Sequence, residues 1–217
     1  MRPNLAQVLN TLAHEIRTPL SVSQGYLKLL IDGRLKNVDD TRRAMEQTRQ
    51  ALGALATLCV DMGAVSALAE DRATGVPAKV PAADFVANLR SLDEVKDAQW
   101  HGDVAEGRAI QSANHRDLAQ AIAIAAKAAF DEDRNAPRTL RVDAGDDLIV
   151  LAGTGDALPS LQEGPAAPNA RAVDFAKGGK GLKLIWASFV LDKHGVQTWT
   201  DARHRASMGF RIPLVQA

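Results

Sequence analysis

Near the start of the chain, Leu12-Ala13-His14-Glu15-Ile16-Arg17-Thr18-Pro19-Leu20 gathers the side chains best suited to chemistry. At the helical angle of 100° per residue, His14 falls about 180° from Leu5, opposite an apolar stripe. Thr11, Thr18, Ser21 and Gly25 share its face within about 40–60°. An imidazole there is exposed, and its neighbours are too small to block a docking protein. Neutral imidazole is a nucleophile at physiological pH, and its two nitrogens can act separately. Thr18, four residues on, can bring a hydroxyl into the same space. Arg17 reads equally as a phosphate-binding cation or as an ordinary solvated helix charge. Pro19 has no N–H and its ring crowds the carbonyl of Glu15, so the helix is expected to bend just beyond the histidine.

Two long helices must carry this segment. Leu5, Val8, Leu9, Leu12, Ile16, Leu20, Leu27 and Leu30 recur at three- and four-residue steps, as one apolar stripe. Gly33 suits the C-cap of this helix, and Asn37 or Asp39 the N-cap of the next. The second helix repeats Met45, Thr48, Leu52, Leu55, Cys59, Met62 and Ser66, with Leu58 and Val65 widening the seam and Cys59 expected to be a small core residue. Two helices bury too little alone. Either a second copy completes a four-helix bundle, which the heptad-like seams favour, or the stripes pack on the rest of the chain.

The stretch from Asp71 to Pro77 collects Gly, Pro and polar residues and reads as a linker between residues 1–72 and 77–217. With 217 residues, one large or two modest domains are expected. The 26 basic and 26 acidic residues balance, which argues against a partner held by phosphate neutralisation, so no nucleic acid is expected. The single cysteine excludes an internal disulfide and a cysteine-based zinc site. No apolar run approaches the roughly 18 residues that cross a bilayer, so a soluble, cytoplasmic chain without membrane insertion is expected. His101, His115, His194 and His204 are scattered without the spacing of helix-borne metal ligands. Trp100, Trp186 and Trp199 are expected to be packing residues, and Asp146-Asp147 a turn.

The segment from Leu12 to Leu20 closely resembles the H-box of two-component sensor histidine kinases. In that family it lies on the first helix of a dimeric helical hairpin, the dimerisation and histidine-phosphotransfer domain. The resemblance implies that His14 carries a phosphoryl group. It implies that Glu15 accepts a hydrogen bond from the imidazole N–H, fixing its tautomer, and that Thr18 positions water for dephosphorylating a response regulator. His14, Glu15 and Thr18 are thus the expected catalytic residues.

The remainder resembles, in outline, the GHKL-type ATPase domain of the same family. Ala83 to Leu92 and His115 to Phe130 look like its early helix and its long N-box helix. Thr139–Asp143 and Leu148–Ala152 look like paired strands joined at Gly145-Asp146. Gly178-Gly179-Lys180-Gly181-Leu182-Lys183-Leu184 resembles the second glycine box, opening a helix to Lys193, and Val196–Thr200 and Phe210–Leu214 read as a closing hairpin. The expected class is therefore α+β: an N-terminal antiparallel helical hairpin forming a dimeric four-helix bundle, then an α/β sandwich of the histidine-kinase ATPase type.

The departures fall on the nucleotide chemistry. Ile124 and Ala128 stand where the family's N-box asparagines bind magnesium and nucleotide, and neither supplies the oxygen a hard cation needs. Leu151 stands where an aspartate bonds adenine, with Asp156 reachable only by a shift of register. Lys183 replaces a glycine of the second box, and the lid shrinks to Leu158–Asn169. These losses would cost nucleotide binding roughly 2–5 kcal/mol. Gly179 and Gly181 could still cradle an anion at a helix start, although an inherited turn is the favoured reading.

The leading expectation is a histidine phosphotransfer protein. It would be a homodimer whose His14 exchanges phosphoryl groups with receiver-domain aspartates of response regulators, with no cofactor of its own. The alternatives are an active, divergent kinase core that autophosphorylates His14 from ATP and Mg, and a non-catalytic pseudokinase scaffold.

Overall fold

A computed structural model of the chain describes residues 4–70, 76–104, 106–154, 181–200 and 206–217. Helix α1 spans Leu5–Ile31 and α2 spans Val38–Ala69. Asn4 begins α1 with a reciprocal capping box: its side chain accepts from the Gln7 amide at 2.9 Å, while the Gln7 side chain accepts from the Asn4 amide at 2.9 Å. Gly33 ends the helix at φ +63°, a left-handed conformation that favours glycine. Asn37 caps α2 by accepting from the Asp40 amide at 2.7 Å, and Asp39 and Asp40 place negative charge on its first turn. Pro19 lies inside α1, which continues through it.

The apolar stripe of each helix divides into two sides. Ser23, Ala44, Thr48 and Ala51 are buried where the helices face each other. Leu9, Leu20, Leu27 and Ile31 on α1, and Val38, Met45 and Leu52 on α2, stay exposed. Cys59 joins this open side and is exposed, contrary to the expectation of a core residue. The physical reason is that small side chains let the helices approach closely, leaving the larger residues at the rim. By length and composition alone helix α2 is apolar enough to cross a bilayer, with an 18-residue window averaging hydropathy 1.7, although it contains no unbroken apolar run of that length. Gly53, Thr57, Asp61, Gly63 and Ser66 interrupt any unbroken apolar run, while the alanines, leucines and valines between them keep the average high. In the structure α2 pairs with α1 along its length and receives a third helix on its C-terminal part.

The second part contains β1 (Ala78–Pro81), α3 (Ala82–Arg90), β2 (Gln99–His101), β3 (Arg108–Ser112), α4 (His115–Phe130), β4 (Arg138–Ala144), β5 (Asp147–Thr154), α5 (Gly181–Lys193), β6 (Gln197–Trp199) and β7 (Ser207–Gln216). The sheet order is β1-β3-β7-β5-β4-β2, with β6 also on β7. Only β2 with β4 is parallel; the other pairs are antiparallel. Helix α4 lies on the sheet with α3 beside it, and α5 packs on α4. Its buried alanines, Ala119, Ala121, Ala123, Ala125 and Ala126, admit these neighbours closely. Phe85, Leu89, Ile110, Leu118, Ile122, Phe130, Leu140, Leu148 and Phe210 fill the core.

The expected helices and paired strands all form. Strands β1, β2 and β3 were not distinguished in the sequence. They are short, and their polar residues alternate with few apolar ones. Trp199 is buried against Gly209, whose absent side chain makes room for the indole, while Trp100 and Trp186 are half-buried.

Candidate functional site: the H-box flank

His14 projects from the middle of α1 and is exposed, as are Arg17, Thr18, Ser21 and Gly25. The continuous helix sets this face: its apolar side is held by α2, so residues half a turn away meet solvent. A bulky macromolecule can therefore approach the imidazole. Thr18 shares that face one turn on, so the structure brings His14 and Thr18 together.

Glu15 is turned elsewhere. It sits about 100° round the helix from His14 and is half-buried. Its Oε1 accepts a hydrogen bond from the backbone amide of Leu182 at 3.2 Å. Leu182 is the second residue of α5, so its N–H has no partner within its own helix. A carboxylate at this end also meets the positive pole of the helix dipole, a contribution of roughly 0.3–1 kcal/mol at exposed sites and more when partly buried.

Apolar packing surrounds that hydrogen bond. Val65, Leu182, Leu184 and Ile185 form a buried cluster, with Val8, Leu12, Leu58, Trp186 and Phe189 packed on it. The stripe of the hairpin is thus covered partly by the rest of the chain and partly left open. Helix α5 is apolar nearly all round because it lies between α4 on one side and the hairpin on the other. This junction was invisible in the sequence, where Glu15 and Leu182 lie far apart. The one available signal was a helix start without an Asp, Ser, Thr or Asn nearby in sequence to cap it.

The residues that the resemblance aligns with nucleotide ligands lie in packing. Ile124 and Ala128 both lean on the α5 cluster, and Ile124 also reaches the main core. Leu151 is buried with Trp199. Lys183 is exposed, and Gly181 is buried at the first residue of α5, beside the Glu15 carboxylate. Gly179, Asp156, His204 and the segment 158–169 lie outside the described residues. These apolar side chains do not fit a magnesium–nucleotide complex, which needs oxygen ligands for the metal. Among the described residues, no group of three His, Cys, Asp or Glu converges as a metal site would require. His194 is held through Nδ1 by the Val190 carbonyl, 2.8 Å away, at the end of α5.

Comparison with known proteins agrees with this architecture. Residues 4–68 match the His Kinase A (phospho-acceptor) domain family. No curated protein matches the chain. Among solved structures, the histidine kinase AdeS of Acinetobacter baumannii superposes with a TM-score of 0.54 at 15% identity, covering 92% of this chain and 97% of that one. Full-length ShkA in complex with AMPPNP superposes with a TM-score of 0.57 at 18% identity, covering 96% of this chain and 46% of that one. At these identities the structural likeness speaks for the fold.

Proposed function

The chain has the architecture of a histidine-kinase core, a phospho-acceptor hairpin followed by a GHKL-like α/β domain; from this premise we propose that it is a histidine phosphotransfer protein of a two-component phosphorelay. His14 takes a phosphoryl group from the receiver aspartate of one response regulator and gives it to another. The observation that carries this reading is the contrast between an exposed His14 and the residues that the resemblance aligns with nucleotide ligands, Ile124, Ala128 and Leu151, which are packed into apolar clusters.

In the transfer step an imidazole nitrogen attacks the phosphorus of the receiver's aspartyl phosphate. The N–P bond forms as the O–P bond breaks, and the receiver's carboxylate leaves as the anion. The second imidazole nitrogen keeps its proton, and donation runs in reverse. Positioning and the receiver's own cation supply most of the stabilisation. Thr18, on the same face, orients water when the receiver is dephosphorylated instead. A second copy of the chain covers the open apolar side, on which Val38, Met45, Leu52 and Cys59 repeat every seven residues. The reading places the chain in the cytoplasm, with receiver domains.

Receiver domains charged with labelled phosphate and mixed with the protein test it. Label is expected on the wild type, acid-labile as phosphohistidine is, and absent from His14→Ala. Equal labelling of both would refute the reading. Labelling of His14 from ATP and magnesium would instead make the chain a kinase.

A further inference from the structure

The H-box carboxylate does not face the histidine beside it; it closes a contact between the two halves of the molecule. From the 3.2 Å hydrogen bond between Glu15 Oε1 and the Leu182 amide, we infer that Glu15 is a positioning residue that latches the C-terminal domain onto the phosphotransfer helix. The inference deepens the phosphotransfer reading, but the contact itself stands without it.

Three features converge on this role. The amide of Leu182 points out of the first turn of α5, where a helix has donors and no internal acceptors. Here the chain itself supplies the anion, Glu15 Oε1. Around the carboxylate, Leu182 and Ile185 are buried against Val8 and Leu12, two turns and one turn before Glu15 on α1. Apolar packing gives the junction its area, while the hydrogen bond fixes the angle at which α5 meets α1. Finally, Gly181 and Leu182 are both buried, and the Leu182 amide already donates to Glu15 Oε1, so an anion that takes this donor must displace the carboxylate. The same latch steadies α1 just ahead of Pro19, where the helix lacks one backbone donor, close to His14 in sequence.

Hydrogen exchange on the full chain reads the latch directly, because the Leu182 amide is protected only by an acceptor outside its own helix. Glu15→Ala is expected to speed exchange at Leu182 about tenfold, the effect of losing a strong helix-start acceptor. Glu15→Gln keeps an acceptor oxygen without the charge and is expected to speed exchange about threefold. Small-angle scattering should show Glu15→Lys, which sets a cation against the positive end of α5, as a broader particle. Transfer of label from a phosphorylated receiver is followed in the same variants, and should fall in the order Gln, then Ala. Unchanged Leu182 exchange in Glu15→Ala overturns the latch. So does a Gln variant as inactive as Ala with Leu182 still protected, because Glu15 would then act on His14 directly. Absence of label from wild-type His14, with Leu182 responding as described, sinks the phosphotransfer reading and leaves the latch standing.

Discussion

Histidine 14 and glycine 209 show how much a single position decides, one by what it exposes and the other by what it omits. His14 owes its access to the helical angle alone, since the side of α1 held by α2 and α5 lies half a turn away. Gly209 is chosen by its neighbour: a β-carbon at this position would lie within the indole of Trp199. Gly209→Ala must therefore displace the Trp199 ring or bend β7. It is expected to lower unfolding free energy by roughly 1–3 kcal/mol, as overpacking of a filled site does; denaturant titration with Trp fluorescence measures it. Arg211, with its guanidinium carbon 6.0 Å from the centroid of the same ring, should register the movement. At this scale the sequence was informative where a residue's role is local. Gly33 and Asn37 marked the turn between helices, and the H-box stood out as a continuous segment. Glu15 was legible as a residue and not as a contact, because its partner is set by how two distant elements pack.

Among elements, α2 carries the most divided demand. It must pair with α1 through small residues, accept α5 near its C-terminal end, and leave Val38, Met45, Leu52 and Cys59 on one open line. The periodicity predicted one seam, and the structure resolves it into an inner side, a flank for α5 and a remaining face. Hydrophobic spacing alone cannot separate these, since all three fall within a broad apolar arc. On the reading that a second copy covers the remaining face, Leu52→Glu buries a charge at its middle. Sedimentation equilibrium is expected to show monomer for this variant and dimer for the wild type, with the helical content of each chain kept. A monomeric wild type would remove the bundle from the account. The short strands β1, β2 and β3 escaped sequence reading for a different reason. Each has three to five residues, too few for an alternating pattern to be distinguished from a loop, and each is fixed by partners remote in the chain.

The whole molecule combines a histidine that faces outward with a C-terminal domain in which Ile124, Ala128 and Leu151 lie in apolar clusters. Ile124 touches the main core and the α5 cluster at once. Calorimetry with ATP and magnesium is accordingly expected to give no heat of binding, and measurable binding would return the domain to the kinases it resembles. The sheet adds a consequence of its own. Strand β7 pairs with β5 along one edge, and along the other with β6 and then β3. It joins segments made far earlier to the final stretch of this sequence. During synthesis the two long helices can begin to form as they leave the ribosome, whereas β3 and β5 must wait for their shared neighbour. The sandwich is therefore assembled late, and a ribosome halted before Ser207 would leave the two long helices tethered to an unclosed sheet with two bare edges, a form suited to clumping and to degradation.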